Sequence, residues 1–238
     1  MKPSRKPRKT GKSAAAKSDR YFVDPVLLQR LRFAPEPQFR QERAKRSQEQ
    51  IVTAALQAFM ENSYDGVSTH DIAQRAKVTQ GLITYHFKSK EGVWQASMDK
   101  FFGDFRNELA NRISELNDID DPLFYKLVIR HIARWPSQHP FMTQFMAETG
   151  RHHRDRIAWI VERHIRPVYQ VLGEILNAGK SQGIIKDLPT LNLHYLLMTA
   201  SSVFSLREEI LLLSDIDVQS AEFIDEHTET MVKLFIET

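Results

Sequence analysis

The sequence predicts an all-α protein, with an N-terminal three-helix unit containing a helix-turn-helix, followed by a longer helical bundle. Three observations predict it. Apolar residues recur at helical spacing along most of the chain, as Ile51, Ala54, Ala55, Ala58 and Phe59 do. Capping residues and prolines divide those stretches into segments of helical length, and no alternating strand pattern or internal repeat interrupts them. Finally, "VSTHDIAQRAKVTQGLITYHFKSK", residues 67–90, reads as two short helices about four residues apart, each opening on a hydroxyl residue.

Composition narrows the function classes. The 238 residues carry a net charge of +3 that hides an asymmetry. Residues 1–47 hold 14 Lys/Arg against 4 Asp/Glu, a net of +10, and residues 48–238 hold 19 against 26, a net of −7. A basic arm on an acidic body suits an anionic polymer as partner, through phosphate neutralisation and counterion release. With no cysteine there is no disulfide framework, thiol nucleophile or cysteine-ligated metal, which suits a cytoplasmic setting. The longest apolar run, "LHYLLMTASSVFSL", is too short and too polar for a membrane span, and the basic N-terminus has no apolar segment behind it. The chain shows no Gly-rich phosphate loop, Gly-x-Ser-x-Gly elbow or His-Glu-x-x-His, so no enzyme, cofactor or metal is expected.

In chain order, residues 1–45 are expected to be a basic arm. "MKPSRKPRKTGKSAAAKSDR" has almost nothing to bury and should be disordered when free. "DPVLLQRLRF" allows a short amphipathic helical turn that "APEPQ" then interrupts. Residues 46–92 follow as the helix-turn-helix domain. Ser47 and Gln50 have capping-box spacing, and Asn62 to Gly66 supply the stop. Residues 93–238 form the bundle. A long helix starts after Ser89 and runs to about Leu116, and others are expected over 122–134, 140–149, 155–182, 189–213 and 218–237.

Within the quoted stretch, Ser68 and Asp71 make a helix start, and Ile72, Ala73 and Ala76 a narrow apolar face. Val78 plugs the turn and Thr79 caps the next helix, "QGLITYHF". Ile83 and Phe87 should point inward with Leu82 partly buried, leaving Gln80, Gly81, Thr84, Tyr85 and His86 outside. Gln suits an adenine edge, and Thr, Tyr and His suit base or phosphate, with Lys88 and Lys90 placed to clamp phosphate. A plain surface helix would favour Glu, Lys and Ala instead. Double-stranded DNA is therefore the expected partner.

The stretch "SQEQIVTAALQAFMENSYDGVSTHDIAQRAKVTQGLITYHFKSKEGVW" resembles the N-terminal domain of TetR-family transcriptional regulators. It has the helix ending in Phe, the "YDGVS" turn, the "DIA" helix and the "YHFKSKEGVW" run into a long helix. The resemblance implies a homodimer on a near-palindromic operator and a helical C-terminal domain for effector binding and dimerisation. It carries DNA contacts onto Thr69, His70, Gln80, Gly81, Leu82, Thr84, Tyr85, His86 and Lys90. Lys77 departs from the family, which commonly has Gly there, and Leu82-Ile83-Thr84 replaces the frequent Thr-Leu-Tyr.

If that reading holds, the last two long helices make the dimer, through Leu193, Leu197, Ala200, Phe204, Phe223, His227, Met231 and Leu234. An unknown small-molecule effector would sit among the middle helices. Its candidate contacts are Phe102, Phe105, Met142, Phe145, Met146, Trp159 and Tyr169, with Arg130, His131, Glu148, His152 and His153 as polar groups. Adjacent histidines cannot share one helix face, so "ETGRHHRDR" reads as solvated loop and not as a metal site.

Overall fold

The computed structural model describes residues 22–35 and 42–237, and among them every element is helical apart from a single antiparallel bridge between Ile185 and Ile236. Helix α1 (Pro25–Leu31) starts at Asp24, whose side chain accepts from Val26 N, with Pro25 at the first position. It belongs to the bundle and not to a free arm. Val23, Leu27, Leu28 and Leu31 are buried in the same core as Phe105, Leu109, Leu172 and Ile175. The expectation of an arm over residues 1–45 is therefore corrected at 22–35. Residues 1–20 lie outside the described part.

Helix α2 (Glu42–Asn62) also begins before the expected domain start. Ser47 lies inside it, its hydroxyl donating to Ala44 O at 3.0 Å, so it caps nothing. The preceding "ERAKR" are good helix formers and carry the helix back past the serine. Helix α3 (Thr69–Ala76) opens on the expected capping box: Asp71 N donates to Ser68 Oγ at 3.1 Å and Ser68 N to Asp71 Oδ2 at 2.8 Å. It closes on Lys77 in the left-handed region, φ 55°. Helix α4 (Gln80–Phe87) and the long α5 (Lys90–Glu115) follow, α5 capped by Ser89. Ile51, Phe59, Ile72, Ile83, Val93 and Trp94 form the core of this N-terminal unit.

The bundle continues with α6 (Asp121–Arg134), α7 (Met142–His152), α8 (Arg154–Ile160), α9 (Arg166–Ser181), α10 (Thr190–Thr199), α11 (Arg207–Ser214) and α12 (Ala221–Phe235). The "ETGRHH" segment is helical through His152, in place of the expected loop. The helix expected over 155–182 is interrupted by a π turn at Val161–Ile165. Pro167 accounts for it. A proline has no N–H to give, and its ring opposes the carbonyl four residues back. That carbonyl, Arg163 O, instead accepts from Arg106 Nη1 at 2.9 Å. The helix expected over 189–213 likewise splits, with a 3-10 stretch at Ala200–Leu206 between α10 and α11.

One buried cation fastens α1 to α5. Arg106, 5 % exposed, donates to the carbonyls of Leu31 (2.8 Å), Arg30 (2.9 Å) and Arg32 (3.1 Å) as well as that of Arg163. Asn107 pairs with both backbone groups of Phe33 at 2.9 Å. Gly103, one turn earlier, leaves room for the Phe33 ring. Residues 22–33 thus form a strap seated in a socket of Gly103, Arg106 and Asn107.

Candidate nucleic-acid interface and ligand cavity

The second and third helices of the N-terminal unit present one polar surface. Gln80 Nε2 donates to Thr69 Oγ1 at 3.0 Å, joining the starts of α3 and α4. Around this contact His70, Gln80, Gly81, Thr84, Tyr85 and Lys88 are exposed, Tyr85 at 58 %, and Thr69, Leu82 and Lys90 are half-buried. A side chain at Gly81 would meet nothing within 4 Å, so this glycine keeps the surface of α4 low where a duplex backbone would approach. Thr79 precedes α4 as expected, but its side chain makes no capping bond. Lys88 Nζ donates to Tyr85 O at 3.1 Å and lies 5.9 Å from the Tyr85 ring centroid.

His86 is a correction. It is 5 % exposed, and its Nε2 meets Ser47 Oγ at 2.9 Å on α2. Burial holds its pKa below the ordinary value, which favours the neutral ring. The spacing already contained this: Ile83, His86 and Phe87 stand at i, i+3 and i+4, one inward stripe. His86 orients α4 on α2 and is withdrawn from the DNA-facing set.

A cavity of about 450 Å³ opens among α5, α6, α7, the π turn and α10. Of the expected contacts, Phe102, Phe105, Met142 and Met146 line it. Phe145 turns the other way, into the N-terminal core. Trp159 packs on Trp94 with centroids 5.6 Å apart, and Tyr169 meets the edge of His194 at 4.9 Å; neither lines the cavity. The expected polar groups lie elsewhere. Arg130 pairs with Glu229, and Glu148, His152 and His153 line a separate cleft of about 210 Å³ beside Tyr64.

The cavity's polar groups are Arg106, His164 and His194, with Thr143 and Thr199. His164 Nε2 lies 3.0 Å from Asp99, which Arg163 also binds in bidentate fashion at 2.5 and 3.0 Å. For Asp99, burial is the largest single influence and pushes the pKa up, but the bonds from His164 and Arg163 together outweigh it and hold it below the usual range. Burial lowers the pKa of both His164 and His194, against the pull of Asp99 on the former, which favours the neutral ring in each. Nδ1 of each is buried without a hydrogen-bond partner. Sequence reasoning missed all three groups. A signal was present for Arg106: it is a charge set in the apolar stripe Phe102, Phe105, Leu109 of α5.

Four of the expected dimer residues, Leu193, Leu197, Phe204 and Met231, are buried in the chain's own core, at 1 to 3 % exposure. Ala200, Phe223 and His227 are half-buried, and Leu234 is exposed. The outward apolar residues are Leu191, Tyr195 and Leu196 on α10, which the sequence reading did not choose, and Leu234 on α12, which it did, each more than half exposed. Helix α10 is apolar on two sides, and the side chosen from the sequence is the inner one. No described helix is long and apolar enough to cross a membrane.

Comparison with known proteins agrees with this geometry. The family model described as "Bacterial regulatory proteins, tetR family" matches residues 51–96, the span from α2 into α5. The A-factor receptor protein of Streptomyces griseus is 41 % identical over 61 residues, 26 % of this chain and 22 % of that one. The chain therefore matches about a fifth of that relative's length. The HTH-type transcriptional repressor NicS of Pseudomonas putida is 23 % identical over 167 residues, covering 69 % of this chain and 78 % of the relative. The crystal structure of HlyIIR, a hemolysin II transcriptional regulator, aligns with a TM-score of 0.60 at 20 % identity, covering 82 % of this chain and 99 % of the other, and so shares the fold. The helix-turn-helix, matched in sequence from α2 into α5, is thus a TetR-family N-terminal domain, carried here on an all-helical fold.

Proposed function

We propose that the protein is a homodimeric, ligand-responsive repressor acting on a near-palindromic operator. The observation that carries this reading is the pairing of a recognition helix, open on its Gln80, Gly81, Thr84 and Tyr85 face, with a mainly apolar cavity beside the helix that leaves it. Tyr85 and Thr84 would meet base edges or phosphate, His70 and Lys88 the flanking backbone, and Lys90 a phosphate at the start of α5. Leu191, Tyr195, Leu196 and Leu234 support self-association, because large apolar side chains this exposed favour burial against a second copy.

A ligand in the cavity would press on Phe102 and Phe105 of α5 and so change the separation of the two recognition helices. Successive major grooves place these about 34–36 Å apart, so a shift of a few ångströms is enough to lose one of them. The lining is mainly apolar, with Arg106, His164 and His194 among its polar groups, so a mainly apolar ligand fits it best. NicS is named a repressor, which agrees with the direction proposed.

Selection of bound sites from a random duplex pool, with full-length protein at near-physiological salt, tests the reading. An enriched inverted repeat of two half-sites about one helical turn apart is expected. No enrichment from folded, dimeric protein refutes it.

A further inference from the structure

The junction between the N-terminal unit and the bundle holds a cluster of charges around one ring. Tyr64, in the turn after α2, stacks on Phe59 at 5.7 Å and meets the edge of Trp94 at 6.4 Å, which fixes its plane. Two cations lie against it: Lys90 Nζ at 4.2 Å and the Arg156 guanidinium at 3.3 Å from the ring centroid. Arg156 donates twice to Glu91 Oε2, at 3.0 and 2.7 Å. Its remaining Nη lies 2.9 Å from His153 Nδ1, while His153 Nε2 lies 3.2 Å from Asp65. Lys90 and Glu91 are the first two residues of α5, and Arg156 comes from α8 in the bundle.

We propose that Arg156 is a positioning residue for DNA binding: through Glu91 and Tyr64 it holds Lys90 where that lysine meets a phosphate. The proposal rests on the DNA-binding reading above and adds a residue that lies outside the helix-turn-helix. Two effects act together. Arg156 neutralises Glu91, a carboxylate beside the lysine that would otherwise repel an incoming phosphate. Its packing on Tyr64 also fixes the ring on which the lysine ammonium rests. Arg156 is four-fifths buried, so its pair with Glu91 is screened less than a surface pair.

The test measures affinity for the selected operator against salt, using the full-length dimer. Lys90→Gln should weaken binding several-fold and lower the salt slope by about 0.9 per protomer, the loss of one phosphate contact. Arg156→Gln should reproduce about half or more of that loss in affinity and slope while the variant remains a folded dimer. Arg156→Gln in the Lys90→Gln background should change little further, because both act on one contact. Wild-type affinity and slope in Arg156→Gln would overturn the proposal, as would losses that multiply in the double variant. If the unsubstituted protein enriches no site, the DNA-binding reading fails instead, and that outcome is visible before any variant is made.

Discussion

Gly103→Ala offers a test in which the local and the tertiary expectations have opposite signs. Gly103 lies inside α5, where alanine is the better helix former by about 0.5–1 kcal/mol. On helix propensity alone the substitution should stabilise. The structure predicts the reverse. A Cβ built there falls 2.5 Å from Phe33 Cδ1 and 3.1 Å from Cε1, about an ångström inside ordinary contact. The ring cannot simply swing away. Arg106 and Arg163 lie 5.2 Å from its centroid, the His164 ring 5.0 Å away, and Asn107 holds the backbone of the same residue twice. Relief therefore requires the strap to shift against α5, which costs about 1–3 kcal/mol as overpacking does elsewhere. For a chain of this length that lowers the melting temperature by roughly 2–12 °C. Thermal unfolding of Gly103→Ala, Phe33→Ala and the double variant checks it. In the Phe33→Ala background the obstacle is gone, and Gly103→Ala should become neutral or stabilising. If Gly103→Ala stabilises the unsubstituted protein, or costs the same in both backgrounds, the strap is not seated as described.

Three further outcomes follow from the same structure. Removing residues 1–21, which include eight Lys/Arg, should leave the melting temperature within about 2 °C while weakening DNA binding and flattening its salt dependence, whereas Leu31→Ala within the strap should cost about 2–5 kcal/mol in denaturant unfolding. Lys77→Gly should stabilise by about 1 kcal/mol, because φ of 55° strains a residue with a Cβ; a destabilised variant would refute that account of the turn. Acid should destabilise the fold early. Burial lowers the pKa of His86, His131, His139, His164, His194 and His227 from the ordinary 6.5, so the unfolded chain takes up protons first as pH falls. The melting temperature should be flat above about pH 7.5 and fall from about pH 6.5 downward; a flat profile to pH 5.5 would show that these rings protonate freely in the folded state.

The helix-turn-helix was legible because its determinants are local. The Ser68–Asp71 capping box, the small residues of α3 and the Ile83–Phe87 pair act within a few residues, and short-range rules place them. The strap was not legible beyond its short helix. Its partners, Arg106 and Asn107, stand about 75 positions away, and nothing in "DPVLLQRLRF" says whether its apolar face is covered by a distant helix. The dimer candidates show a different limit. Periodicity identifies α10 as a helix, yet it carries apolar residues on opposite sides. Leu193 and Leu197 face inward while Leu191, Tyr195 and Leu196 face out, and spacing alone does not say which stripe the chain keeps for itself. The cavity was half legible for a related reason: aromatic and Met residues of α5 and α7 were found, but the polar groups come from a cation and two histidines that sequence rules treat as surface residues.

Arg106 shows why those three groups belong together. Its guanidinium is buried and, among the described residues, makes no direct ion pair with a carboxylate, a costly arrangement unless its N–H groups are well used. Four carbonyls use them, and each is a carbonyl that a helix has left free. Three belong to the end of α1, where a helix presents its negative pole, and the fourth is the one that Pro167 releases at the π turn. The cation thus converts two helix defects into one joint between the strap, α5 and the start of α9. The π turn that results supplies Val161, His164 and Ile165 to the cavity wall. A proline that breaks one helix and an arginine set in the apolar stripe of another therefore shape the cavity together, and with it the site from which a bound ligand would move α5 and the recognition helix ahead of it.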